Sequence, residues 1–417
     1  MLYWLAEVTD FRLFQYLTFR AGLAVLIALI VTLVFGKRII DFIQKRQIIE
    51  KQRALGLPGE DLKANTPTMG GLMIHLAILL PCLLLADLSN VYIQLMILTT
   101  ISMGVIGFLD DYMKLTQSKD GLSGRYKILG QVILGGIVGA VMLFHDDVVV
   151  RVDKATAQTY NYQVIDSVGV ERFARSSEGA LIPYKETMYY VKTTMTNVPF
   201  FKGNEFDYKY FLWFLGENAK DWVFLIFIPI IILIVTAVSN AANLTDGIDG
   251  LAAGTSAIIG SVLGLFAYVS GHNVLADYLG VLYVPHVGEL VIFSACFLGA
   301  CIGFLWYNAY PAQVFMGDTG SLALGGIIAA LAVMTRKELL IPLLCGIFVA
   351  ENLSVVMQVS YFKYTKKKTG VGQRIFLMSP LHHHFQKKGI HESKIVSRFW
   401  IVGVFLAVLT IITLKIR

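Results

Sequence analysis

Charge is scarce in this chain. Asp, Glu, Lys and Arg make up 15% of its 417 residues, against about 25% in an ordinary soluble domain. Cysteine is scarcer still. Cys82, Cys296, Cys301 and Cys345 all lie inside apolar blocks. They lack metal-ligand spacing and read as small buried core residues. Alternating ten-residue segments of the kind that build a membrane barrel are missing. Internal repeats and low-complexity tracts are missing too. The first of these absences argues against a transporter built from inverted repeats. Residues 1–19 lack a basic leading stretch and mix acids with aromatics, so no cleavable signal peptide is expected.

What is present is apolar sequence, 56% of the chain. It falls in separate blocks long enough to cross a bilayer, which takes roughly 20 helical residues. Ten candidate spans are predicted at 17–35, 69–86, 91–109, 128–144, 222–242, 251–270, 290–310, 317–334, 339–361 and 395–414. The eighth is the weakest, because its purely apolar part is short. The expected class is an all-α polytopic membrane protein, with 1–144 carrying four spans and 222–417 the other six. Between them, 145–221 is polar, with nine basic and eleven acidic residues. Its runs Val148-Val149-Val150-Arg151-Val152 and Tyr189-Tyr190-Val191 predict strands. It reads as a small β-rich insertion outside the cytoplasm.

Lys and Arg in the connections set the expected orientation. The stretch 37–63 holds seven, 114–127 four, and 363–398 nine. The short connections 87–90 and 271–289 hold none, and Arg336-Lys337 is a minor exception. The basic side is therefore expected to be cytoplasmic, with both termini on the other face.

Five polar patches interrupt the apolar sequence. They are Thr66-Pro67-Thr68-Met69-Gly70-Gly71, Asp110-Asp111, the stretch from Asn243 to Gly250, Asn308 with Gly317-Asp318-Thr319-Gly320, and His382-His383-His384. All five fall on the predicted cytoplasmic side, which the charge count did not presuppose. Asp110 and Asp111 point about 100° apart on a helix, so facing one spot requires local unwinding. They read either as metal or phosphate partners or as solvated acids closing a helix. Asn243, Asp246 and Asp249 share a helical face by spacing, while Gly247 and Gly250 allow close backbone approach to a ligand. Asp318 sits on a tight turn, and hard oxygen ligands suit Mg²⁺ bridged to substrate phosphates. Phe315 reads either as a stacking platform for a base or as a membrane-edge aromatic. Three adjacent histidines are poorly arranged to ligate one ion, so phosphate binding and substrate positioning are expected of them. The lysines on the same loop read mostly as headgroup-facing charges. Glu351, inside the ninth span, reads either as functional or as paired with another span.

Taken together, Thr66–Gly71, Asp110-Asp111-Tyr112, Asn243–Leu251, Phe315-Met316-Gly317-Asp318-Thr319-Gly320 and Pro380-Leu381-His382-His383-His384-Phe385 resemble the phospho-N-acetylmuramoyl-pentapeptide-transferase family. This family sits among the polyprenyl-phosphate N-acetylhexosamine-1-phosphate transferases. The resemblance runs from about residue 17 to the end, except for 145–221, which is longer than the connector expected there. It implies a ten-span fold in the bacterial inner membrane, homodimeric, with Mg²⁺ as cofactor and no nucleic-acid partner. It implies transfer from UDP-N-acetylmuramoyl-pentapeptide to undecaprenyl phosphate, giving lipid I and UMP. The family's magnesium aspartate matches Asp318, and its paired acids match Asp110 and Asp111. Its nucleoside-contacting positions match Lys63, Asn243, Asp246, Asp249, Asn308, Phe315 and Gly317. Lys114 and His382, His383 and His384 match residues near phosphates. A sister transferase acting on UDP-N-acetylglucosamine would share the acids and the metal, and the histidine run favours the muramoyl-pentapeptide branch.

Overall fold

The computed structural model describes residues 12–45, 63, 66–116, 121–175, 181–198 and 205–415. Residues 1–11 and most of the basic run 37–63 lie outside these. The apolar blocks form helices, the one way such a run satisfies its own backbone in lipid. They are α1 (Leu17–Lys45), α2 (Gly71–Leu85), α3 (Val91–Thr116), α4 (Gly124–Phe144), α5 (Phe224–Thr245), α6 (Leu251–Ser270), α7 (Leu290–Asn308), α8 (Gly317–Met334) and α9 (Gly346–Thr369). The short α10 (Leu381–Lys387) and the long α11 (Glu392–Ile412) complete the set.

Among the described residues, eight helices are long and apolar enough to cross a bilayer. Two of the ten expected spans differ from a straight crossing. α2 has only 15 residues, roughly 22 Å of helix, because the chain turns at Met69, with φ +69°, and Gly70 and Gly71 bond to Phe315 and Met316. The ninth span is two pieces, Glu338–Leu344 and Gly346–Thr369, bent by 77°. The break falls at Cys345 beside Gly346, and Leu406 of α11 packs into it.

The span that looked weakest, α8, is the most enclosed, with 94% of its apolar window buried. Its Gly and Ala residues let α3, α5, α2 and α6 pack around it. A helix shielded by other helices does not need a long lipid-facing run. Its N-terminal end carries Asp318, and its C-terminal end carries Arg336 and Lys337.

The insertion contains an antiparallel sheet of β1 (Val150–Asp153), β2 (Gln163–Arg175) and β3 (Leu181–Lys192) in the order β1-β3-β2. A second, two-stranded sheet pairs β4 (Met195–Asn197) with β5 (Glu205–Asp207). The insertion is fastened to the bundle end remote from Asp110 and Asp111. The Arg151 guanidinium donates to Asn273 at 2.7 Å and Asp277 at 2.9 Å, and lies 4.3 Å from the Tyr283 ring. The Asn197 amide donates to the Arg336 carbonyl at 3.0 Å, and Lys337 Nζ donates to Asn197 Oδ1 at 2.5 Å. Arg336 and Lys337 are thus buried under the insertion. Their exception to the charge rule has a physical cause: they are internal groups, not loop charges.

Candidate functional site

The site is organised by where α3 ends against where α8 begins. Asp111 caps α8 from a distance. Its Oδ1 accepts from the Asp318 amide at 3.0 Å, and its Oδ2 accepts from the Thr319 amide at 2.8 Å and the Thr319 hydroxyl at 2.7 Å. A carboxylate there satisfies amides that no helix can satisfy itself, and it complements the helix dipole. Gly317 adopts φ +71°, and a Cβ there would lie 2.6 Å from Asp111 Oδ2. Both constraints explain glycine in that turn.

Asp110 accepts from the Leu122 amide at 2.7 Å and faces two lysines. Lys114 Nζ lies 2.8 Å from Asp110 Oδ2 and 3.2 Å from Asp318 Oδ1. Lys127 Nζ lies 2.9 Å from Asp110 Oδ1 and 2.7 Å from Asp318 Oδ2. Asn243 Nδ2 donates to Asp318 Oδ1 at 2.8 Å and to Ser321 at 2.9 Å. One carboxylate oxygen from each of Asp110, Asp111 and Asp318 lies within 4.8 Å of the other two. The expectation that adjacent acids need local unwinding is corrected here. α3 runs unbroken through both, and the two acids meet different partners around the start of α8.

Three hard carboxylates at this separation could hold a divalent cation such as Mg²⁺. Three carboxylates against two ammonium groups leave one negative charge uncompensated, so the donor set fits an added cation.

A second cluster borders the first. Lys63 Nζ bridges Asp249 at 2.7 Å and Glu392 at 2.5 Å. Asp249 Oδ2 accepts from the Ala312 amide at 3.0 Å. Asn308 accepts from the Gly250 amide at 3.0 Å and donates to the Val314 carbonyl at 2.9 Å. Asp249 and Asn308 thereby hold the loop 309–316 that delivers Phe315 and Gly317 to the site. Burial and the Glu392 carboxylate push the Asp249 carboxyl up, against the pull of Lys63. Phe315 is half-buried, and its amide donates to the Pro67 carbonyl at 2.8 Å. Asp246 is half-buried at the end of α5.

The three histidines diverge. His382 is buried, with Nδ1 3.1 Å from Glu351 and Nε2 against Gly247. His383 Nδ1 lies 2.7 Å from Gln386, and His384 Nδ1 accepts from the Leu377 amide at 3.1 Å. Glu351 is thus paired, one of its two expected readings.

Sequence reasoning missed Lys127, Glu392 and Thr319. Lys127 entered only as one of four charges in a basic run. A signal existed one turn along α4: Gln131 bonds Ser239 and Asn240 of α5, both at 2.8 Å, which fixes the face carrying Lys127.

Comparison with known proteins agrees with this geometry. Residues 185–336 match Glycosyl transferase family 4. Residues 63–74 match phospho-N-acetylmuramoyl-pentapeptide-transferase signature 1. The chain is 55% identical to the phospho-N-acetylmuramoyl-pentapeptide-transferase of Flavobacterium psychrophilum and 53% to that of Flavobacterium johnsoniae. It is 50% identical to that of Parabacteroides distasonis. Each match covers 100% of both chains, so 145–221 is shared with these relatives. The chain belongs to the phospho-N-acetylmuramoyl-pentapeptide-transferase family.

Proposed function

We propose that this enzyme transfers phospho-N-acetylmuramoyl-pentapeptide from its UDP carrier to undecaprenyl phosphate, giving lipid I and UMP for peptidoglycan synthesis. The observation that carries the reading is the Asp110, Asp111, Asp318 cluster laced by Lys114 and Lys127 at one end of a helical bundle. A soluble sugar nucleotide and a lipid phosphate must meet, so the reaction belongs at a membrane edge. That edge is the cytoplasmic one in this proposal, with both termini on the periplasmic side and the enzyme acting as a homodimer.

An oxygen of the lipid phosphate attacks the sugar-linked phosphorus. The bond to the bridging oxygen breaks, and UMP leaves with that electron pair. A phosphate monoester has a second pKa of about 6, so the nucleophile is already largely a dianion at neutral pH. It needs alignment more than a strong base. Lys114 and Lys127 bind and neutralise the approaching phosphates, and Asp110 orients the nucleophile between them. Asn243 fixes the Asp318 carboxylate. Lys63, Asp246, Asp249, Asn308, Phe315 and Gly317 form the nucleoside side, and His382, His383 and His384 position the substrate's phosphates and sugar. Mg²⁺ held by Asp318 would offset charge on the phosphate oxygens.

The test is UMP release by the purified protein with undecaprenyl phosphate and Mg²⁺, given UDP-N-acetylmuramoyl-pentapeptide or UDP-N-acetylglucosamine. Release only with the first, lost in Asp318→Ala, is the expected result. Release only with the second moves the chain to the sister reaction. Asp110→Asn should lower turnover far more than sugar-nucleotide binding, and unchanged turnover would remove its orienting role.

A further inference from the structure

We infer that the insertion carries its own bilayer-docking surface: the segment Tyr208–Asn218 is seated in the lipid headgroup interface at the bundle end remote from the acidic cluster. The sequence there is YKYFLWFLGEN, followed closely by Trp222. Trp213 is 80% exposed, Phe214 66%, Phe211 54% and Trp222 50%. A soluble surface rarely gathers so much contiguous apolar area. Leaving it in water costs about 25 cal/mol for each Å².

The position of this segment decides what covers it. The span that begins at Ala219 runs 27 residues to Thr245, about 40 Å of helix. The hydrocarbon core is only about 30 Å thick. Lys220 and Asp221 lie in its first turn and the apolar run starts only at Trp222, so the first residues of that span stand in the headgroup layer, and the aromatic segment precedes them directly. Tyr208 fixes the depth further. Its ring packs edge-on against Phe227 in the first turn of α5, with centroids 5.4 Å apart, and its hydroxyl donates to Glu338 at 3.1 Å. Leu212 is buried on the same protein-facing side. The segment is thus pinned level with the entry of α5; Phe211 packs one edge on Phe206, and Trp213 and Phe214 are left facing away from the protein. Arg151 and Asn197 clamp the rest of the insertion to the bundle, so it cannot lift the segment clear of the membrane.

Amphipathic aromatic rings favour the headgroup interface, where an apolar body and a polar tip are both satisfied. Lys220 and Asp221 beside the segment carry opposite charges, so its attraction is apolar and independent of lipid charge. The partner is phospholipid of either headgroup charge. The leaflet is the outer one under the orientation proposed above, whereas bilayer contact itself does not depend on that orientation.

The test keeps Trp213 as the single tryptophan, with Trp4, Trp222, Trp306 and Trp400 changed to Phe, in phosphatidylcholine vesicles. Lipids brominated high on the acyl chain should quench its emission more strongly than lipids brominated deep. Aqueous iodide should quench it several-fold less than free tryptophan. Quenching by iodide alone would overturn the inference, because the ring would then face water. Quenching by neither would overturn it as well, because a second copy or another protein would then cover the ring. If the multiple variant does not fold, Trp213→Cys with a nitroxide label gives the same answer, since the four native cysteines are buried. Collision with oxygen should then exceed collision with a water-soluble nickel complex, and the reverse order would refute the placement.

Discussion

Asp111→Asn separates two roles for the second aspartate. The geometry makes Asp111 the cap of α8, with both oxygens occupied by three donors from Asp318 and Thr319. Asparagine keeps one acceptor oxygen. If that oxygen retains the Thr319 amide and hydroxyl, the Asp318 amide meets an NH₂ group and becomes a buried unsatisfied donor. That costs about 1–3 kcal/mol. Exchanging charged for neutral hydrogen bonds costs roughly another 1–2 kcal/mol, and losing the charge at the helix start up to about 2 kcal/mol. The total is about 2–7 kcal/mol. At roughly 2 °C of Tm for each kcal/mol in a large domain, the detergent-solubilised variant should melt about 4–14 °C lower. Turnover should fall with it, because the cap also sets the position of Asp318. Thermal melting and UMP release measured on one preparation test this. No burst of UMP is expected when lipid phosphate is withheld, since both Asp111 oxygens are engaged at the start of α8. An unshifted Tm with abolished turnover, or a stoichiometric burst without acceptor, would refute it and make Asp111 a covalent nucleophile.

Further outcomes follow from neighbouring groups. Lys127→Gln leaves Asp110 and Asp318 with one ammonium between them; turnover should drop on the order of 100-fold, and unchanged turnover would take Lys127 out of phosphate contact. In Gly107→Ala the new Cβ would lie 2.2 Å from the Asp318 carbonyl oxygen, forcing α3 and α8 apart. That variant should lose about 1–3 kcal/mol and most activity, while Gly136→Ala, whose Cβ meets only Ile232 at 4.0 Å, should keep both. Burial holds the Lys337 ammonium down to about 7, against the pull of Glu338 and Glu205. Between that pH and the ordinary lysine value near about 10.4, the unfolded chain binds a proton that the native chain has released. Stability should therefore rise with pH across this window. Melting curves from pH 7 to 9.5 should show the rise, and Lys337→Met should flatten it.

The parts of this molecule legible in its sequence were those set by solvent. Ten apolar blocks became ten helical regions because a bilayer leaves the backbone no other way to satisfy itself over such lengths. The β-branched and aromatic runs Val148–Val152 and Tyr189–Val191 marked strands, and β1 begins within the first of them, at Val150. What escaped the sequence was set by neighbours. α8 looked marginal because its glycines and alanines answer to α3 and α5, not to lipid, and its enclosure is invisible until those helices are in place. Lys127 looked like one more cytoplasmic charge; only the packing that brings Asp110 and Asp318 to it shows its partners. Arg336 and Lys337 looked like an orientation error until the insertion closed over them. The paired aspartates show the difference most sharply. Their adjacency suggested that a straight helix could not turn both to one spot, yet α3 runs unbroken through them and one oxygen of each lies within 4.8 Å of the other and of Asp318. The side chains converge on the start of another helix, which offers amides to Asp111 and a third carboxylate beside Asp110. Helical spacing of backbone positions overstated the separation of carboxylate oxygens at the ends of two side chains, and only the approach of α8 shows where they meet.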